Sequence, residues 1–253
     1  MPYRFATAAQ DYTDYASGRV FYSAPGRPVL PVRLILEIFQ RCRAQLKRQG
    51  ITQPSVIYDP CCGSAYHLST LPFFHGDEIE AIIGSDIDAD ILKTAAGNLS
   101  LLTTSGIDHR LAQIKALYAQ FEKESHADAL TSGQRLKEIV VRSQTAKPIQ
   151  TNLFQADATQ PDALQGRLPS KPIDIVLADV PYGNKAAWIN REGNEDDVGN
   201  PLQQMLGSLA EIASPHTVVT IISDKKQLAD HPAFKRLERF QIGHRRIMLF
   251  KID

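Results

Sequence analysis

The stretch Val56-Ile57-Tyr58-Asp59-Pro60-Cys61-Cys62-Gly63-Ser64-Ala65-Tyr66-His67-Leu68 constrains the fold of this chain more than any other. Val56 to Tyr58 read as a buried strand. An acid closes it, a turn of small residues follows, and a helix opens near Ser64. In an open α/β sheet, ligands bind in the crevice beyond a strand's carboxyl end. Gly63 accepts backbone angles that other residues resist and lets a ligand approach the main chain. The first helical turn adds free N–H donors. One such unit alone is more often plain scaffold, but a second follows. Ala81-Ile82-Ile83-Gly84-Ser85-Asp86-Ile87-Asp88 is another apolar run closed by an acid. An acid at that tip is where a nucleoside ribose is gripped through its hydroxyls. Ile91, Leu92, Ala95, Ala96, Leu99 and Leu102 then recur at helical spacing from Ala89 to about Thr103.

A third run, Pro172-Ile173-Asp174-Ile175-Val176-Leu177-Ala178, leads into Asp179-Val180-Pro181-Tyr182-Gly183. The Asp-x-Pro-Tyr turn resembles the target-amine motif of S-adenosylmethionine-dependent N-methyltransferases. A nucleobase nitrogen is a poor nucleophile because its lone pair is delocalised into the ring. A carboxylate and a carbonyl near Pro181 can accept its hydrogens and aim the lone pair, while Tyr182 can stack on a base turned out of its helix.

Further segments carry a closer resemblance: Phe21-Tyr22-Ser23-Ala24-Pro25-Gly26-Arg27-Pro28, Pro31-Val32-Arg33-Leu34, Glu37-Ile38-Phe39-Gln40-Arg41, the Cys-Cys turn and the segment from Asp86 to Asn98. With them the chain, from about Phe21 to Ile252, resembles the AviRa-type avilamycin-resistance rRNA methyltransferases. Where that family's turn usually carries a second glycine, Ala65 stands here. The resemblance implies an α/β fold of the Rossmann-like class I methyltransferase type. Its sheet is seven-stranded and mostly parallel, with an antiparallel C-terminal hairpin and helices on both faces. It also implies S-adenosylmethionine as methyl donor and a guanine of large-subunit (23S) rRNA as target, in a resistance or an equally compatible housekeeping role. Carried over residue by residue, cofactor contacts fall on Asp59, Pro60, Cys61, Cys62, Gly63, Ser64, Asp86, Ile87, Asp157 and Ala158. Asp179, Pro181 and Tyr182 take the reacting centre. Asp157, after a third strand from Gln150 to Gln155, either contacts the adenine amine or caps a helix beginning near Pro161.

Charge distribution bears on the partner. Formal net charge is zero, yet residues 1–50 hold eight Lys/Arg against three acids, and residues 225–251 hold eight against two. These are either solvated faces or one basic surface for RNA phosphates. The second reading nominates Arg27, Arg33, Arg245 and Arg246. Trp188 either stacks on the target nucleotide or anchors its polar loop, and His244-Arg245-Arg246 either meets RNA or only marks a turn.

The expected organisation is one domain over residues 1–253. An irregular N-terminal arm covers residues 1–30, and a helix runs from about Val32 to Gln49 with Leu34, Ile35, Ile38, Phe39, Cys42 and Leu46 on its apolar face. A helical insertion of about 106–148 lengthens one crossover. It reads as two helices, the second weakened by Gly133, and its Lys115, Lys123, Arg135, Lys137 and Arg142 either lie in solvent or contact RNA. A helix from about Leu202 to Ala213 precedes a strand from Thr217 to Ile222, and residues 240–250 read as a closing hairpin. Three cysteines without a Cys-x-x-Cys argue against a zinc site or a disulfide framework. The absence of a long apolar run argues against a membrane span, and Met1-Pro2-Tyr3-Arg4 lacks the core of a signal peptide. A metal-free, cytoplasmic monomer is expected. The competing functions are a non-catalytic RNA-binding or assembly factor on the same fold, another nucleic-acid amine methyltransferase, and a nicotinamide oxidoreductase. The last lacks its Gly-x-Gly-x-x-Gly fingerprint here.

Overall fold

The computed structural model describes residues 3–8, 10–143, 148–181, 200–227 and 229–253. Seven strands form one sheet: β1 (Ser55–Asp59), β2 (Ile79–Asp86), β3 (Gln150–Gln155), β4 (Ile175–Asp179), β5 (Val218–Ser223), β6 (Phe234–Ile242) and β7 (Arg245–Ile252). Their order is β3-β2-β1-β4-β5-β7-β6. The first five are parallel, and β7 runs antiparallel to both of its neighbours. The chain steps outward from β1 to β3 and then returns to the other side of β1 with β4. That reversal makes β1/β4 the switch point at which an open sheet parts its loops.

Alternation along the strands splits the core. Ile57, Ile175, Leu177, Val218 and Ile222 join one buried cluster, while Val56, Tyr58, Val176, Ala178, Val219 and Ile221 join the other. Helices cover both faces, as a two-sided apolar strand demands. On the first face lie α1 (Val32–Arg48), α2 (Tyr66–Thr70), α4 (Ala89–Ser100), α5 (Thr104–Phe121) and α6 (Glu124–Ser143). On the second lie α7 (Pro161–Leu164) and α8 (Pro201–Ile212), and α3 (Pro72–His75) links α2 to β2. All six apolar residues expected on the α1 face are buried.

Four local expectations shift. The helix after the Cys-Cys turn starts at Tyr66, two residues late, because Gly63 (φ 53°) and Ala65 (φ 51°) both take left-handed backbone angles. β4 starts at Ile175, since the Asp174 carboxylate accepts the Val56 N–H (2.7 Å) in place of a ladder carbonyl. The closing hairpin is longer than expected because β6 begins at Phe234. Gly133 does not weaken α6: a Cβ there would stand 2.5 Å from Leu111 Cδ2, so the missing side chain is what lets α5 and α6 pack closely.

The N-terminal arm is pinned at two places. Glu37, fully buried on α1, accepts the backbone N–H groups of Arg4, Phe5 and Ala6 at 2.7–2.8 Å and the Arg41 Nε–H at 2.7 Å. Asp14 accepts from Ser132 (2.7 Å) and Arg135 (3.0 Å) on α6. Arg135, with Lys137 on Asp108 and Arg142 on Glu138, thus has an acidic partner.

Candidate active site

A cavity of about 420 Å³ opens beyond the carboxyl ends of β1, β2, β3 and β4. Its volume is within the range of small-molecule sites. It is lined by Pro60, Cys61, Cys62, Gly63 and Ser64 after β1, by Asp86, Ile87 and Asp88, by Ala156, Asp157 and Ala158, and by Asp179, Val180 and Pro181. Arg27, Pro28, Val29 and Leu30 of the arm add a fifth side, and Tyr66 and His67 of α2 form its floor.

Hydrogen bonds across strand tips set the first turn. Asp59, wholly buried, accepts the Cys61 N–H on Oδ1 (2.8 Å). Asp86 accepts the Gly63 N–H on Oδ2 (2.8 Å) and the Asp88 N–H on Oδ1 (3.0 Å). Asn98, buried on α4, donates to Ser64 O (2.9 Å) and Tyr22 O (3.0 Å) and accepts the Tyr22 N–H (2.7 Å), which ties turn, helix and arm together. Among the described residues, its two chain neighbours aside, no atom lies within 4 Å of where a Cβ would sit on Gly63. That leaves room for a ligand against the main chain. Burial pushes the Asp86 carboxyl up, and the N–H groups of Asp88 and Gly63 and the charge of Arg27 offset only part of it. Asp88, which sequence reasoning had not singled out, caps α4 and pairs with Arg27 at 2.5 Å. Asp157 caps nothing. It accepts from the Thr159 backbone N–H (3.0 Å) and hydroxyl (2.7 Å) while lining the cavity.

Asp179 ends β4 and lines the cavity. Its Oδ1 is buried and has no hydrogen-bond partner among the described residues. Burial drives its carboxyl up to about 7 against the opposing charges of His67 and Arg245, with Asp59 adding to the rise. The Pro181 carbonyl, expected to accept from a substrate amine, already accepts from Gln227 Nε2 (2.9 Å). Cys61 and Cys62 are thiols pushed well up by burial, then by the nearby acids, and this makes them poor nucleophiles.

His67 is the other residue that the sequence reading had not singled out. Its Nε2–H donates to Asp59 Oδ2 at 2.5 Å. Burial alone would lower this imidazole, but the hydrogen bond and charge of Asp59, with the charge of Asp179, outweigh it and the net shift is upward. The available signal was an acid at a strand tip and a histidine eight positions later, one step into the next helix.

The RNA-contact nominations separate. Arg27 lines the cavity, paired with Asp88. Arg33 lies outside it: its guanidinium donates to Ala6 O and Thr7 O (2.9 Å each) and sits over the Tyr3 ring. Arg41 and Arg43, of the same basic segment, are buried against Glu37, Glu238, Glu78 and Ser55. The charge of Arg245 reaches Asp179, and Arg246 donates to Gln227 O (3.4 Å). Exposed Lys225 and Lys226 follow β5 at this same end of the sheet. Tyr182 and Trp188 lie outside the described residues. Among the described residues no group of three or more His, Cys, Asp or Glu is placed to hold a metal ion, and no helix is long and apolar enough to cross a membrane.

Comparison with known proteins identifies the family and the fold. The family model for the rRNA methyltransferase AviRa matches residues 1–245. A Streptomyces viridochromogenes protein described as a 23S rRNA (guanine(2535)-N(1))-methyltransferase is 36% identical over 249 residues, 98% of this chain and 95% of that protein. The solved structure of rRNA methyltransferase AviRa from Streptomyces viridochromogenes at 1.5 Å superposes with a TM-score of 0.85 at 34% identity, covering 99% of this chain and 96% of that one. The chain belongs to the AviRa rRNA methyltransferase family.

Proposed function

We propose that this protein methylates N1 of a guanine in 23S rRNA, with Asp179 as the base that takes the N1 proton. The observation that carries this reading is the buried, partnerless Asp179 Oδ1 at the β4 tip, on a carboxyl raised to about 7. Neutral guanine carries a hydrogen on N1, and its lone pair is freed only when that proton leaves. A base is most effective when its own pKa lies near the working pH. A carboxylate at about 7 meets that condition and gives the proton back to solvent afterwards. A target at the exocyclic N2 would call instead for two acceptors to orient an amine. The Pro181 carbonyl, which would be the second, has one lone pair committed to Gln227.

S-adenosylmethionine is the methyl donor, and its sulfonium supplies an electrophilic methyl group when bound. The chain's own residues fit it. Asp86, Asp157, Ala158 and Gly63 all line the cavity, and they are read as holding the ribose hydroxyls, the adenine and, at the Gly63 turn, the closely approaching ligand. Tyr182 and Trp188 are read as stacking partners for the target base. Lys225, Lys226, Arg245 and Arg246 supply the positive rim that RNA phosphates require. The working unit is read as a single chain without a metal, acting where ribosomes are, in the cytoplasm.

Incubation with labelled S-adenosylmethionine and rRNA from a strain lacking the enzyme tests the reading. Label should enter large-subunit rRNA with wild-type protein and not with Asp179→Asn. Equal incorporation by both would remove Asp179 from the chemistry, and no incorporation by either would favour the non-catalytic alternative.

A further inference from the structure

The cavity is crowded with acids. Asp86, Asp88, Asp157 and Asp179 line it, and Asp59 lies beneath. Among the described residues that line it, only Arg27 and His67 can carry positive charge. Arg27 is committed to Asp88 at the rim. His67 sits in the floor, with its Nε2–H fixed on Asp59 at 2.5 Å. A carboxylate that accepts from one imidazole nitrogen orients the ring and stabilises its cationic form.

We infer that His67, held by Asp59, is a positioning residue for methyl transfer: its imidazolium offsets the crowd of acids and keeps the Asp179 carboxylate charged and ready to accept a proton. This rests on the reading of Asp179 as the base. The charged and titratable groups around the pair are known from each element: Asp59 on β1, Cys61 and Cys62 in the turn, Asp86 and Asp88 at the β2 tip, Asp157 after β3, Asp179 on β4, Arg245 on β7 and Arg27 from the arm. Of these, Asp179 feels His67 as the leading opposing charge and Arg245 as the next. Any buried histidine needs a hydrogen-bond partner; what sets His67 apart from a packing residue is that it lines the same cavity as Asp179.

The test is the pH dependence of single-turnover methylation at saturating S-adenosylmethionine and rRNA, for wild type, His67→Gln and His67→Lys. Glutamine can still donate to Asp59 but carries no charge. The wild-type rate should rise through about pH 7 as Asp179 ionises. In His67→Gln that limb should move up by about one pH unit, the scale set by an opposite charge close to a carboxylate. Its rate should be about tenfold lower on the acid side and converge with wild type at alkaline pH. His67→Lys should bring the limb back toward the wild-type position. A loss uniform across pH, or an unmoved limb in folded His67→Gln, would overturn the inference and leave the base assignment standing. A wild-type limb that persists in Asp179→Asn would remove both. Histidine-labelled wild-type protein, followed by NMR, gives a check that needs no variant to fold. The His67 ring should be cationic at neutral pH, and a neutral ring there would also overturn the inference.

Discussion

Asp179→Asn should make the enzyme nearly inactive and, above neutral pH, more stable. In the unfolded chain this carboxyl ionises at 3.8, whereas burial in the folded protein raises it to about 7. The sign follows. A raised folded pKa means the contribution to stability is whole below 3.8 and is lost as pH climbs toward 7, because the unfolded chain ionises freely and the folded one resists. At 1.36 kcal/mol per unit, the full penalty above pH 7 is about 4 kcal/mol. Asparagine carries no such penalty at any pH. Its carbonyl stays partnerless, as Asp179 Oδ1 is now, so a pH-independent cost remains and only the difference between two pH values is informative. Urea unfolding at about pH 5 and about pH 8.5 should show the advantage of Asp179→Asn growing by about 2–3 kcal/mol between them. The single-turnover rate should fall by about 10²–10⁴ through loss of the base. A stability difference that is the same at both pH values would refute the burial argument. A wild-type rate would refute the base.

The cofactor site is expected to depend on Asp86. Its carboxylate holds the Gly63 and Asp88 N–H groups and lines the cavity, and on the proposed reading it binds the ribose, so Asp86→Ala should cost about 1.5–3 kcal/mol of S-adenosylmethionine affinity by calorimetry; unchanged affinity would exclude it. Replacing Lys225 and Lys226 with alanine should lower the salt slope of RNA binding by about 1.4 while cofactor binding holds, and equal slopes would place the RNA path elsewhere. Glu37→Ala takes one carboxylate from the buried Arg41 and frees three arm N–H groups, so it should cost about 3–5 kcal/mol in urea unfolding and expose the first residues to protease; wild-type stability would contradict the buried clamp.

The sheet's central strands were legible because burial on both faces forces short apolar runs, and an acid at each tip marked the ligand side. Asp59, Asp86, Asp157 and Asp179 were all reached in this way, and three of them line one cavity while Asp59 supports its floor. What escaped reading was decided by distant partners or by backbone angle. Arg41 looks like surface charge, yet it bonds Glu238, 197 positions away. The start of β6 was hidden because Lys235, Arg236, Glu238 and Arg239 break any apolar alternation, as charges on an edge strand do. Ala65 reads as an ordinary helix start, and only its positive φ shows why a glycine would be suited to that place. The Asp59–His67 bond was local enough to see, but a lone histidine in an apolar helix gives no sign of which acid it will meet.

The chemical identity of the modified nucleoside decides whether N1 of a guanine receives the methyl group. 23S rRNA treated with the enzyme and S-adenosylmethionine would be digested and its nucleosides identified by mass spectrometry, with reverse transcription of the same RNA run beside it. 1-Methylguanosine is expected, with a strong reverse-transcription stop beside the modified guanine, because a methyl group on N1 removes a Watson–Crick donor. An N2-methylguanosine product that reverse transcriptase reads through, or a methyl group on any other base, would contradict the N1 reading.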